Sequence, residues 1–459
     1  MRPDSSVPTP YSLLPTPMSN IRTEIIAGIV TFSTMAYAIC EQPAILCGMR
    51  TGLTPTGMNF EALITTMCLT SAFFCFLMGF WARYPLALAS GIGMNFLLAT
   101  SIMPACARTL GSSVGSENVW RLALGTAFVS GAIFVVLASL RMCSAMVNII
   151  SPSMKNAITV GLGMFIVFFG LKNGDLITIE NNQLTVGNLL SPEAAVCIIG
   201  LIIGLVLTVR KIPGALLIAI IVSSIAAYKF HLISFDKGFI GMPADPRPVI
   251  GKIDAAGVFK HIKELWPSIL LLAFLDIFGA FSAIVGILQG GGVCSSKGKG
   301  DIPRSERVFI TDALGTIIGP CMGHSTFTTY LESASGVESG GRTGLTAVIA
   351  GVLFLLALLF TPFLATLGSC NPICAPSLII VGLLMFRCVK DIDWNDLSEA
   401  APAFITIVGM TYTHSITDGI LMGLIVYPVV KLLSGKVRDV HPGLWILSAL
   451  MVSYLFIPK

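Results

Sequence analysis

Two carboxylates lie in stretches whose neighbours belong in lipid. Asp276 sits inside the apolar run Ile269–Ile287, ILLLAFLDIFGAFSAIVGI, and Glu332 inside Thr326–Gly336, TFTTYLESASG. An ionised side chain at the centre of a bilayer costs at least about 2.5–3.5 kcal/mol, so such groups face a cavity or a partner and mark functional sites. A carboxylate accepts hydrogen bonds from the N–H edge of a heterocycle, and a carboxyl in a low-dielectric cavity can take up and release a proton near neutral pH. Asp276 and Glu332 are therefore candidates for both substrate binding and proton coupling. Thr329 and Ser333, hydroxyls of the same segment as Glu332, are counted with the substrate site. Asn95, in Gly91-Ile-Gly-Met-Asn95, offers the donor and the acceptor that a base edge needs. His324 precedes the Glu332 segment and is a further titratable candidate. Competing readings stay open at this point. Each acid could be held by a backbone amide or a hydroxyl, and Asn95 by an interhelical hydrogen bond. Asp312 and Asp418 lie near segment ends, where capping or packing is the expected role.

The elements that position these groups follow from composition. The chain has 459 residues, 54% hydrophobic and only 11% charged. Soluble proteins carry about 25% charged residues, so this is an all-α polytopic membrane protein whose environment is the lipid bilayer. A net charge of +4, with no basic run, excludes nucleic acid as a partner. The 12 Cys lie mostly in apolar segments, where a thiol acts as a small hydrophobe; Cys370 and Cys374 flank Asn-Pro-Ile within reach of each other, but no disulfide is expected there. The five His are scattered, with no two at metal-ligand spacing, so neither a metal nor a cofactor is expected beyond the coupling ion.

Apolar stretches of helical length recur at 24–46, 61–80, 86–101, 121–140, 155–171, 193–209 and 213–230, then at 266–289, 307–322, 325–337, 343–366, 375–389, 400–413 and 416–434. A further apolar tail covers 443–457. The expected organisation is a disordered cytoplasmic tail (1–22), without a signal peptide, then a first repeat (23–230) and a polar connection (231–265). A second repeat (266–434) and a C-terminal tail (435–459) complete it. Lys and Arg favour alternate loops, with Arg83, Arg141, Lys155, Arg210, Lys211, Lys297, Lys299, Arg304, Lys431 and Lys436 on one side, against Arg50, Arg108, Arg121 and Lys172 on the other. That bias puts the N-terminus inside. Seven segments per half is odd, so the halves are inverted, as in many secondary transporters. Val-Gly-Leu-Gly-Met-Phe (160–165) and Val-Gly-Leu-Leu-Met-Phe (381–386) echo each other in the fifth segment of each half. The third segments, 86–101 and 325–337, are short and interrupted by Gly, Ser and Thr, the pattern of unwound helices at a transport site.

The stretch 312–363, DALGTIIGPCMGHSTFTTYLESASGVESGGRTGLTAVIAGVLFLLALLFTPF, resembles the azaguanine-like hypoxanthine/guanine permeases, a branch of the nucleobase–cation symporters. The resemblance extends to TEIIAGIVTFSTMAYAICEQPAIL (23–46), GIGMN (91–95), FLDIFGA (274–280) and PAFITIVGMTYTHSITDGI (402–420), and so to nearly the whole chain. It implies two inverted seven-segment repeats, about 14 transmembrane segments divided into core and gate domains, and proton-coupled uptake of purine bases across the plasma membrane. It also implies that Asp276, Glu332, Asn95 and Gly93 contact the base. Three positions depart from the family pattern: Gly279 replaces a second acid, Gln42 replaces an Asn, and His324 replaces a small residue. An anion transporter of the same architecture is the alternative, which the two acids oppose. An intramembrane aspartyl protease lacks its G-x-G-D aspartate here, no H-E-x-x-H metal motif is present, and broken inverted segments favour alternating access over a channel. The sequence leaves room for a homodimer.

Overall fold

The computed structural model describes residues 20–51, 56–111, 115–140, 149–180, 183–236, 238–290 and 305–454. Residues 1–19 of the expected tail, the loop charges Arg141, Lys297, Lys299 and Arg304, and residues 455–457 of the apolar tail lie outside the described residues.

The first half contains α1 (Ile21–Met35), α2 (Ala38–Leu46), α3 (Phe60–Leu77), strand β1 (Leu88–Ser90), α4 (Ile92–Leu97), α5 (Met103–Leu110), α6 (Ser116–Ser139), α7 (Pro152–Asn173), the hairpin strands β2 (Ile177–Glu180) and β3 (Gln183–Val186), α8 (Pro192–Val209) and α9 (Ala215–Lys229). The second half contains α10 (Ala255–Lys260), α11 (Ile262–Gly290), α12 (Ser305–Cys321), strand β4 (Phe327–Thr329), α13 (Ser333–Glu338), α14 (Gly344–Ala357), α15 (Thr361–Ser369), α16 (Asn371–Phe386), α17 (Leu397–Tyr412), α18 (Ile416–Leu433) and α19 (Pro442–Tyr454). The protein is a mostly helical integral membrane protein. Among the described residues nine helical spans are long and apolar enough to cross a membrane, and two shorter apolar helices, Ala215–Lys229 and Pro442–Val452, accompany them.

Helix starts follow local chemistry. Both α7 and α8 begin with Ser-Pro: the Ser151 and Ser191 hydroxyls accept the backbone N–H of Met154 and Ala194, and the proline occupies the first turn, where no N–H is missed. Asn59 caps α3 in the same way through the Ala62 N–H, 2.9 Å away. At the expected broken segments the chain is extended. β1 and β4 pair antiparallel, with Leu88 opposite Thr329, Ala89 opposite Thr328 and Ser90 opposite Phe327. Each strand leads into a short helix, α4 or α13, so the two broken segments meet strand to strand inside the protein. Two features were not foreseen. The connecting stretch 231–265 contains α10 and the first turn of α11. The hairpin β2–β3 fills the link between α7 and α8, consistent with the β-branched residues either side of Asn181-Asn182.

Helices pack in two groups that do not follow the sequence halves. In one, α1 and α3 lie on α14, α6 lies on α12 and α11, α2 and α15 lie on α3, and the paired strands run through the middle. In the other, α7 lies on α16 and α17, α17 on α18, and α8 and α9 on each other and on α16. The echoed sequences form the contact at the centre of the second group. A Cβ on Gly163 would sit 2.8 Å from the carbonyl oxygen of Gly382, and one on Gly382 would sit 2.5 Å from that of Gly163. Small residues let two backbones meet in this way. Two cations counted as loop charges are instead buried. Arg50 has no exposed surface, and Lys431 is 2% exposed with its ammonium 2.8 Å from Glu399. They are structural ion pairs rather than topology signals. Outside the membrane-spanning segments, the neighbouring Lys436 ammonium, 2.7 Å away, holds the Asp396 carboxyl well below the usual carboxylate range.

Candidate substrate site

The paired strands organise the site. The ladder continues past the strands on both sides: the Gly91 N–H donates to Thr326 O at 3.0 Å, and the Tyr330 N–H to Ala87 O at 3.0 Å. Backbone groups that a broken helix would otherwise strand in an apolar interior thus find partners in each other. α12 receives β4 on one face. Asp312, Gly315 and Gly319 recur at helical spacing, and Cβ atoms added to the glycines would lie 2.3 Å from Phe327 O and 3.1 Å from the Phe327 ring. Asp312, fully buried, completes that face. Its Oδ1 accepts the Thr329 N–H at 2.7 Å and the Thr329 hydroxyl at 2.8 Å, and its Oδ2 accepts the Thr328 hydroxyl at 3.1 Å. Asp312 therefore clasps the strand, and Thr329 is the residue it clasps.

Asn95 works at the other crossing point. Its amide nitrogen donates to Gln42 Oε1 at 2.6 Å and to Ser90 Oγ at 2.8 Å, and its Oδ1 accepts the Ser325 hydroxyl at 2.5 Å and the Ser325 N–H at 3.2 Å. Gln42 donates in turn to the Tyr330 hydroxyl at 2.8 Å, which donates to Ser90 O at 2.5 Å. This buried circuit ties α2, both strands and α4 together and uses all four of Asn95's hydrogen-bonding positions. Ser333 accepts the Ala87 N–H at 3.0 Å, so it too braces the first broken segment. Gly93 lies against α7, where an added Cβ would come within 2.5 Å of Leu162.

The two acids singled out by the sequence stand apart from these braces. Asp276, on α11 and 3% exposed, accepts the Thr326 hydroxyl on Oδ1 at 3.0 Å, while Oδ2 has no partner among the described residues. Glu332, partly exposed and following β4, accepts the Tyr37 hydroxyl on Oε1 at 2.6 Å. Asp276 thus serves the start of β4 and Glu332 lies beyond its end. The two acids lie at opposite ends of the seven-residue segment Thr326–Glu332. Each carboxylate can accept further hydrogen bonds beside its end of the segment. His324 is fully buried. Its Nε2 meets the Thr66 hydroxyl at 3.1 Å and Leu63 O at 3.2 Å, and its ring packs edge-on to Phe327.

Sequence reasoning missed Tyr37, Ser90, Ser325 and Tyr330. Ser90 and Ser325 carried a weak signal, as hydroxyls at the entry to each broken segment. Tyr37 carried none, because only the break between α1 and α2 turns its hydroxyl to Glu332.

A family model described as Permease family, that of the xanthine/uracil permeases, matches residues 22–422. The chain belongs to the xanthine/uracil permease family. This permease is 32% identical to the guanine/hypoxanthine permease PbuO of Bacillus subtilis, over 96% of this chain and 98% of that one. It is 34% identical to the adenine permease AdeP of Escherichia coli, over 95% of this chain and 92% of that one. Among solved structures, the transmembrane domain of the cyanobacterial bicarbonate transporter BicA superposes with a TM-score of 0.61 at 14% identity, covering 88% of the permease and 97% of BicA. Murine Slc26a9 superposes with a TM-score of 0.61 at 12% identity, over 92% and 69%. These likenesses place the permease in the fold of those transporters. Family membership makes it a transporter and not an enzyme.

In the permease, motifs that carry the family resemblance fall into two kinds. Some hold the fold. Glu24, from the TEIIAG stretch, is buried and accepts the Arg342 N–H at 3.0 Å, the Thr343 N–H at 3.1 Å and the Thr346 hydroxyl at 2.5 Å, which places an anion at the N-terminus of α14 and accounts for GGRTGL. Others, FLDIFGA and TTYLESASG, bring the two open acids to the strand ends.

Proposed function

We propose that the permease imports purine nucleobases of the hypoxanthine, guanine and adenine class, coupled to protons, by alternating access. The observation that carries the reading is the pair of acceptors left open beside the strand crossing, Asp276 Oδ2 and the partly exposed Glu332, in a chain whose near full-length relatives are named for guanine, hypoxanthine and adenine. Purines present N–H donors on the edges of a flat ring, and a carboxylate accepting such a bond gains about 1.5–3 kcal/mol. Asp276 and Glu332 bind substrate and carry the coupled proton. Asn95, Gly93, Ser333 and Thr329 shape the site by fixing the broken segments, and His324 supports the same wall. An anion of the kind the structural neighbours are named for would meet two acids here, which disfavours that alternative.

In the finer architecture, the fourteen helical stretches are fourteen membrane segments in two inverted repeats, 23–230 and 266–434, joined by 231–265 and followed by a tail at 435–459. The group holding α1–α6 and α11–α15 is the core domain; the group holding α7–α9 and α16–α18 is the gate. Residues 1–22 are cytoplasmic, and the protein lies in the plasma membrane, where it can pair as a homodimer. The test is uptake of labelled hypoxanthine, guanine, adenine and uracil by cells lacking their own permeases, with and without a protonophore. Purine uptake abolished by the protonophore is expected. Uptake of none of these bases at normal membrane expression overturns the reading.

A further inference from the structure

Arg50 is fully buried, and each of the three nitrogens of its guanidinium has a partner. Nε lies 3.0 Å from Glu41 Oε2, itself fully buried; Nη2 donates to Gly368 O at 2.9 Å; Nη1 donates to Asn371 Oδ1. The backbone beside it is held as well: Asn371 Nδ2 donates to Met49 O at 3.3 Å, and Asn173 Nδ2 donates to Arg50 O at 3.1 Å. Glu41 on α2 and Gly368 on α15 belong to one packing group. Asn371 at the start of α16 and Asn173 at the end of α7 belong to the other. Between Gly368 and Asn371 lie only Ser369 and Cys370, and Cys370 is the extended residue at which the chain crosses from one group to the other. An open cleft of about 630 Å³ lies above this crossing, lined from both groups by Glu61, Thr366, Ser369, Glu193 and Pro372.

We propose that Arg50 is a conformational clamp: it holds the α15–α16 crossing and the end of α7 closed beneath the cleft, and its release opens this face of the molecule to the site. The proposal rests on the transport reading. Hinge motion between two packed groups concentrates its backbone change in a few connecting residues, and Ser369–Cys370 is such a connection with both ends tied to one guanidinium. A buried ion pair is a poor source of net stability compared with apolar packing, so its value here lies in its all-or-none geometry. Glu41 keeps the cation in place, while the bonds to Asn371 and Asn173 are the ones that cross the seam.

A native reporter exists. Cys374 on α16 is fully buried, its thiol directed across the crossing toward Leu367 O at 3.8 Å. Substrate-free membrane vesicles of both orientations are treated with a membrane-impermeant maleimide, and labelling is read site by site by mass spectrometry, with the partly exposed Cys370 and the buried Cys68 as references. Asn371→Ala removes the seam bond to the guanidinium and leaves the ion pair intact. The double variant Arg50→Met with Glu41→Gln removes the clamp without stranding a charge. In both, Cys374 should label about tenfold faster from the cleft side only, the shift in open population that losing one charge-assisted hydrogen bond of about 1.4 kcal/mol produces. Unchanged Cys374 labelling in both variants, with Cys68 still protected, makes Arg50 a static tie and overturns the clamp. Faster labelling of Cys68 as well reports general loosening and also overturns it. Because no base is present, a negative result here is separate from any failure of purine uptake by the wild-type protein.

Discussion

Asp276 and Asp312 are the same residue type, on adjacent helices, both buried and both touching the β4 segment. Their surroundings make opposite use of them. Asp312 accepts three bonds within 3.1 Å, all from two consecutive threonines. Asp276 accepts one, from Thr326, and keeps an oxygen without a partner among the described residues. Buried polar atoms are nearly always satisfied, and an exception in a native fold calls for a functional explanation. The contrast agrees with their positions along the chain: Asp312, near a segment start, is held by the strand, whereas Asp276, mid-segment, keeps an acceptor in reserve.

The sharpest way to break the contrast is Asp312→Asn. The amide would turn an N–H₂ or a lone oxygen toward three donors, leaving buried groups unpaired at a cost of at least about 2–3 kcal/mol. Low membrane expression and a lowered detergent melting temperature are expected, together with lost uptake. A well-folded Asp312→Asn that binds no base would move Asp312 into the site. Asp276→Asn comes next. Its carbonyl oxygen can keep the Thr326 bond, so expression should hold while uptake per folded molecule falls at least about tenfold, the loss of one charge-assisted bond. Normal transport with an unchanged pH profile would remove Asp276 from the site and leave Glu332 to serve alone.

Glu332→Gln should also fold normally and weaken apparent base affinity roughly ten- to a hundredfold, measured by competition against labelled hypoxanthine. Tyr37→Phe deletes only the donor to Glu332 Oε1. An uncharged phenol on a partly exposed acid should matter less, so a rise in KM of about three- to tenfold with expression unchanged is expected. Gly279→Ala should do least. A Cβ at Gly279 meets nothing within 4 Å, and alanine in a helix interior is favoured over glycine by about 1 kcal/mol. Unaltered uptake with equal or higher thermal stability is the expected outcome, and impaired uptake would show that the open space at Gly279 is occupied by substrate.

The helical stretches were legible because lipid imposes length and apolarity on each of them, and interruptions in two of them pointed to β1 and β4. Their pairing was not legible: a three-residue strand needs no sequence pattern of its own when its partner is supplied by the other half of the chain. Asp276 and Glu332 stood out as charges in apolar runs, and Asp312 was expected to pack because it lies near a segment end, which its three hydrogen bonds to β4 match. Asn95 was read as a group for the substrate, and its position in the structure shows why a single amide is ambiguous. The side chain best suited to hold a base edge is equally suited to hold two strands. Arg50, just past the stretch 24–46, and Lys431, near the end of 416–434, were read as loop charges, since at a segment end a buried ion pair and a solvated cation look alike in sequence.

The antiparallel register of β1 on β4 has a kinetic corollary. Because Leu88–Ser90 and Phe327–Thr329 share one ladder, moving one broken segment alone would break its hydrogen bonds to the other. The ladder couples the two halves of the chain, although they are separate in sequence. Binding should therefore relax as one exponential phase with one base per chain, and a fluorophore placed beside α4 should report the same time constant as one placed beside α13.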